Sequence, residues 1–217
     1  MDTLISPFRA LYELGGPVLI LLLLVSIFTL TIILLKSWQF RTARVNKGGQ
    51  IRQAVASWDR GKHDRALSEI QTSKHFLAPV VALGMQERGG DGLTKRLESE
   101  AEQKLLPMES GFRILDMVAQ LAPLLGLLGT VIGMIEAFQA LQDAGSQVVP
   151  AALAGGFWVS LLTTAAGLTV AMPTSVALSW FESQMDEARA LADYAFSVIG
   201  RPVAEPVETE GLSQNVA

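Results

Sequence analysis

Residues 117–135 and 144–181 of this chain carry no charged side chain, and each run holds a stripe of small and hydroxylated residues at helical spacing. The first contains Ala122-Pro-Leu-Leu-Gly-Leu-Leu-Gly-Thr-Val-Ile-Gly-Met134, in which Gly126, Gly129, Thr130, Gly133 and the following Ala137 fall on one helix face. The second contains Leu161-Leu-Thr-Thr-Ala-Ala-Gly-Leu-Thr-Val-Ala-Met-Pro173, where Ser160, Thr163, Thr164, Gly167, Ala171 and Thr174 share a face. Helices this apolar belong in hydrocarbon, yet glycines and hydroxyls make poor lipid-facing surface. The stripes therefore point at other protein, packed closely or around an ion path.

A third uncharged run, 17–35, is long enough to cross a hydrocarbon core of roughly 30 Å at about 1.5 Å per residue. It has no basic region before it, no small-x-small site after it, and exceeds the apolar core of a signal peptide, so it reads as a retained span. Half of the 217 residues are hydrophobic, only 18% are charged, and mean hydropathy is positive at +0.36. The expectation is an all-α integral membrane protein with three transmembrane helices, the second and third extended as long helices into the cytoplasm.

Cationic residues give the direction. They populate the stretch from Lys36 to Arg113, whereas 136–154 has none and the segment before the first span has only Arg9. Positive residues stay cytoplasmic, most strongly near span ends. The expected order is an N-terminal extracytoplasmic segment (1–16), the first transmembrane helix (17–35), a cytoplasmic helical domain (36–112) and the second transmembrane helix (113–141). An external, periplasmic loop (142–153), the third transmembrane helix (154–181), a cytoplasmic helical extension (182–200) and a disordered tail (201–217) complete it.

Within the middle segment, Ile51, Ala54, Val55 and Trp58 mark one amphipathic helix that Gly61 ends, and Asp64 is placed to cap the next. Another runs from Phe76 to Arg88, before Gly89-Gly90. Leu93, Leu97, Ala101 and Leu105 continue towards the second span as one helix, with a bend expected at Pro107, where a backbone hydrogen bond is lost. Phe181, Met185, Ala188, Leu191 and Ala195 extend the third span to about Ile199.

Little conventional chemistry is available. There is no cysteine, and His63 and His75 lie in a polar region where solvated surface histidines are expected. No metal-ligand set, cofactor motif, phosphate loop or nucleophile–base constellation is present, so an enzyme is not expected. The basic middle segment carries many acids, which argues for a solvated topology signal and against nucleic-acid binding. The plain reading of Gly129 and Gly133 is a small-xxx-small helix contact. That of a membrane threonine is a hydroxyl bonded to its own helix one turn back. No carboxylate, Lys, Arg or His stands in mid-membrane, where one costs at least ~2.5–3.5 kcal/mol. If the chain moves protons, the acid must come from a partner helix.

The two motifs, with Leu162-Thr-Thr-Ala-Ala-Gly-Leu168 followed by Ala171-Met-Pro173 in the second, resemble the membrane signatures of the MotA/TolQ/ExbB proton-channel family, closest to its ExbB and TolQ branch. The resemblance implies an inner-membrane homo-oligomer, a pentamer, around single-span partners of the ExbD or TolR type. The partner's membrane Asp carries the proton, and work passes to a TonB- or TolA-type protein. It also implies that Thr130 and Thr164 line the proton path, and Thr163 and Ser160, on the same stripe, are assigned to that lining with them. Gly126, Gly129, Gly133, Gly167, Pro123 and Pro173 are assigned to helix packing. Many relatives carry a Glu where this chain has Val159. A three-span gliding or other stator subunit, and a scaffold without ion flow, are the alternatives; four spans would be expected of a flagellar stator subunit.

Overall fold

The computed structural model of the chain describes residues 2–87, 92–143 and 150–201, and every regular element among them is an α-helix. In chain order these are α1 (Asp2–Ala43), α2 (Gly49–Asp59), α3 (His63–Thr72), α4 (Ala78–Gln86), α5 (Leu93–Glu109), α6 (Phe112–Asp143) and α7 (Pro150–Gly200). Expectations for Gly89-Gly90, for most of the 142–153 loop and for the tail beyond residue 201 lie outside the described residues. The helices divide into two compact units, Met1–Ser37 with Ser110–Phe181, and Trp38–Glu109 with Glu182–Ala217.

In the first unit, α1 is interrupted at Gly16, whose φ of 64° and ψ of −161° lie in a region that side chains exclude. From Pro17 the helix runs without a break. Val18 and Leu22 of α1 bury against Ala122 of α6 and Ala171 of α7, with Val118, Leu125, Ile132, Ala166 and Val170 around them. The outward faces stay apolar: Leu24, Ile27 and Leu30 on α1, Leu124 and Leu127 on α6, and Leu161 and Val176 on α7 are all exposed. A surface of that kind suits hydrocarbon. Three stretches, Gly16–Ala43, Leu93–Asp143 and Gly155–Gly200, are long and apolar enough to cross a membrane.

The second stretch is not one uninterrupted helix. Pro107 is accommodated within α5, and the break falls at Ser110-Gly111. Gly111 takes a φ of +92°, which glycine accepts without steric cost. The helix therefore ends where glycine permits a left-handed residue, one turn after the proline.

In the second unit α2 to α5 pack with the last turns of α7. Ile51, Ala54, Val55 and Trp58 of α2, Ile70 of α3, Val81 and Met85 of α4, and Leu97, Ala101 and Leu105 of α5 are buried, as are Met185, Ala188, Leu191 and Ala195 of α7. Polar ties hold the packing in register. The buried Ser57 hydroxyl donates to Glu69 at 2.8 Å, and Arg65 donates to the other oxygen of that carboxylate at 2.8 Å. Those two donors, Arg65 first, hold the Glu69 carboxyl below the ordinary carboxylate range. Arg189 forks across Glu102 and Glu109, at 3.0 and 2.7 Å, and so ties α7 to α5. Asp64 stands in the first turn of α3 and not at its cap, which Lys62 occupies; there it still meets the positive end of the helix dipole.

His75 overturns the expectation of a solvated surface residue. It is 3% exposed; Nε2 donates to the Val45 carbonyl at 3.0 Å, and Nδ1 accepts the Leu77 N–H at 3.2 Å. A ring that accepts at Nδ1 and donates at Nε2 is neutral. Burial lowers its pKa, against the Val45 bond, which raises it. His63 is half-buried, its ring edge-on to Trp58 at 4.3 Å. Because His75 is held neutral, the folded chain binds fewer protons than the unfolded chain just below the unfolded pKa. Its stabilising contribution is complete above about pH 6.5 and is lost as the pH falls through the lowered folded value. The thermal midpoint in detergent should therefore drop on acidification below that point. His75→Leu should remove that pH-dependent component and cost about 1–3 kcal/mol at neutral pH by leaving the Val45 carbonyl and Leu77 N–H unpaired.

Candidate functional site

The two small-residue stripes meet inside one chain. On α6 the buried positions beyond Leu115 are Ala122, Gly126, Gly129, Gly133 and Ala137; on α7 they include Ser160, Thr163, Gly167, Ala171 and Thr174. A methyl added to Gly167 would stand 2.5 Å from the Ala122 carbonyl oxygen and 3.1 Å from the Gly126 Cα. One added to Gly126 would stand 2.9 Å from the Thr163 carbonyl, and one at Gly129 would stand 2.6 Å from Thr163 Oγ1. Gly133 faces Ser160, and Gly156 faces Ala137, with the same lack of space. Partners fall on α6 as they rise on α7, so the helices are antiparallel and in backbone contact over several turns.

Hydroxyls thread this contact. Ser160 Oγ lies 2.9 Å from the Gly156 carbonyl of its own helix and 3.3 Å from the Thr130 carbonyl of α6. Thr163, 1% exposed, donates to the Ser160 carbonyl at 2.8 Å and fills the space over Gly129. Within the chain, then, Ser160 and Thr163 are sealed in the helix contact.

Thr130 and Thr164 are different. Both are half-buried, at the margin of the contact. Thr130 donates to the Leu127 carbonyl at 2.7 Å, the ordinary arrangement for a hydroxyl on a membrane helix. Thr164 reaches instead across to the Gly126 carbonyl, at 3.5 Å, the outer limit for a hydrogen bond. Thr169 and Thr174 both bond back along α7 at 2.7 Å. Thr164 thus holds the least committed hydroxyl of the membrane stripes. Thr169 lies apart from the contact, in an apolar groove of about 370 Å³ shared with Leu22, Leu23 and Ser26 of α1.

Pro123 is half-buried in α6, and Pro173 is exposed in α7. Each removes a backbone donor, freeing the carbonyls of Ala119 and Thr169. Val159 is half-buried, one residue before Ser160. Gly156 was not among the packing residues expected from the sequence, although it continues the 156, 160, 163, 167 spacing. That spacing was the available signal.

The glycines give a graded prediction. Gly167→Ala sets a methyl against backbone, which cannot rotate away, and should lower stability by about 1–3 kcal/mol. Gly155→Ala, with nothing within 4 Å of the added carbon, should be nearly neutral. Thermal unfolding of the two variants in detergent compares them directly, and equal midpoints would contradict the contact.

Comparison with known proteins agrees with this architecture. Residues 71–193 match the model of the MotA/TolQ/ExbB proton channel family. The biopolymer transport protein exbB1 of Vibrio cholerae serotype O1 is 30% identical over 181 residues, covering 78% of each chain. The ExbB biopolymer transport protein of Pseudomonas putida is 28% identical over 83% of this chain and 55% of its own length. That of Neisseria meningitidis serogroup A is 26% identical over 79% of this chain and 86% of its own. With its three apolar helices and paired small-residue stripes, the chain belongs to the MotA/TolQ/ExbB proton channel family, on the ExbB/TolQ branch.

Proposed function

We propose that the chain is the inner-membrane channel subunit of a motor driven by the proton-motive force. In this reading several copies, five by analogy with the family, surround a single-span partner of the ExbD or TolR type. The partner's membrane Asp carries the proton, and a TonB- or TolA-type protein receives the work. The N-terminus faces the periplasm and the C-terminus the cytoplasm, as the distribution of Lys and Arg between loops favours.

The observation that carries the reading is the position of Thr164. It offers a weakly engaged hydroxyl on the charge-free span of α7, one turn from the Thr130 carbonyl level and beside the Gly126 carbonyl. A carboxylate brought to that depth needs donors or water to offset its desolvation. Val159 stands where many relatives carry a Glu, so this subunit adds no second acid at that level. Ser160 and Thr163, enclosed between α6 and α7, serve the path by holding Thr164 in place.

Thr164→Val should lower proton-driven activity roughly ten- to a hundredfold, the equivalent of losing a buried donor worth about 1–3 kcal/mol. Co-purification of the partner should persist. Thr169→Val, which changes a hydroxyl outside the contact, should be mild; the opposite ranking would remove Thr164 from the path. Orientation is tested by impermeant thiol labelling of cells whose outer membrane is permeabilised and whose inner membrane is sealed. A cysteine at Asp143 should react from outside and one at the exposed Ser68 should not.

A further inference from the structure

One face of α1 changes character in a fixed order along its length. Ile27, Leu30 and Leu34 are 57%, 57% and 60% exposed, Trp38 is 71% exposed, and Arg41 follows on the same face within the last turn. Three- and four-residue steps keep all five within one narrow stripe. At about 1.5 Å per residue, Trp38 and Arg41 are separated by roughly 4.5 Å along the axis, within the depth of a headgroup layer. Beyond the helix end, the turn that carries Arg44 and Lys47 closes with a Lys47 N–H to Arg44 carbonyl bond of 2.9 Å and leaves both side chains exposed.

Among the described residues these cations are not spent on the protein. Residues 14–58 contain no Asp or Glu. Among the described residues Arg41, Arg44 and Lys47 make no ion pair, whereas Arg52 pairs with Glu187 and Arg189 with Glu102 and Glu109. A cation in the last turn answers the negative end of the helix dipole, which accounts for Arg41 alone. It does not account for two more unpaired cations past the helix end. The sequence hydrocarbon-facing leucine, interfacial tryptophan, cation is the polarity profile of a lipid leaflet read outward.

We propose that Trp38, Arg41, Arg44 and Lys47 form a binding surface for anionic phospholipid, with the tryptophan seated at the glycerol level and the three cations on headgroup phosphates. The surface selects lipid by charge. Each cation near an anionic membrane surface contributes about 1 kcal/mol, or roughly a fivefold preference. It does not depend on the proposed proton path, because none of these residues belongs to it.

The test uses the full chain reconstituted in equimolar phosphatidylglycerol and phosphatidylcholine, one or the other brominated near the headgroup. Quenching assigned to Trp38, by difference from Trp38→Phe, reports which lipid sits there. The expected result is quenching at least about fivefold more effective by brominated phosphatidylglycerol, falling to parity in Arg41→Gln/Arg44→Gln/Lys47→Gln and eroding in unaltered protein as salt is raised. Equal quenching by both lipids would overturn the proposal, as would a preference that survives the triple substitution or high salt. Absence of quenching by either would also overturn it, showing that another copy covers this face.

Discussion

Close contact between two membrane helices is possible only where a small residue on one faces each side chain or backbone segment of the other, and α6 and α7 meet on those terms. Gly126, Gly129 and Gly133 face Thr163 and Ser160, and Gly167 faces Ala122. Within lipid no hydrophobic force drives helices together, so the association rests on close dispersion contacts and on hydrogen bonds across the interface. The same closeness sets Ser160 and Thr164 of α7 against carbonyls of Thr130 and Gly126 on α6. Packing and polar placement are thus one feature, and a larger residue at any of these glycines disturbs both.

Charge is kept out of this region. Between Asp116 and Glu136 on α6, and from the start of α7 to Glu182, no residue ionises. The membrane potential supplies about 2.3 kcal/mol per elementary charge per 100 mV, but it acts only on a charge that enters the field. In the proposed motor this chain provides the polar lining without the charge. The acid therefore belongs to a partner in the proposed motor, and Val159 in place of the Glu of many relatives makes that division sharper.

The fold was legible because its periodicities are long. Leu97, Ala101 and Leu105, and Met185, Ala188 and Ala195, are buried as their spacing required. The glycine stripe was equally visible, but periodicity does not say what a stripe packs against. A small-xxx-small helix contact was expected for Gly129 and Gly133 without its partner, and their close neighbours are Thr163 and Ser160 of the same chain. The bend was expected at Pro107, which lies inside α5, whereas the helix break falls at Ser110-Gly111, where a glycine at positive φ stops the helix. His75 was misread for a different reason. Its burial depends on the Val45 carbonyl, distant in sequence, and no local composition encodes that contact.

In the proposed motor the decisive point is which hydroxyls face the partner's membrane helix, and disulfide trapping in the assembled complex reads this most directly. Cysteines replacing Thr130, Thr164 or Thr169 in turn would be oxidised against a cysteine introduced beside the partner's membrane Asp. The account predicts crosslinks from positions 130 and 164 and none from 169. Crosslinking from 169, with none from 164, would contradict it.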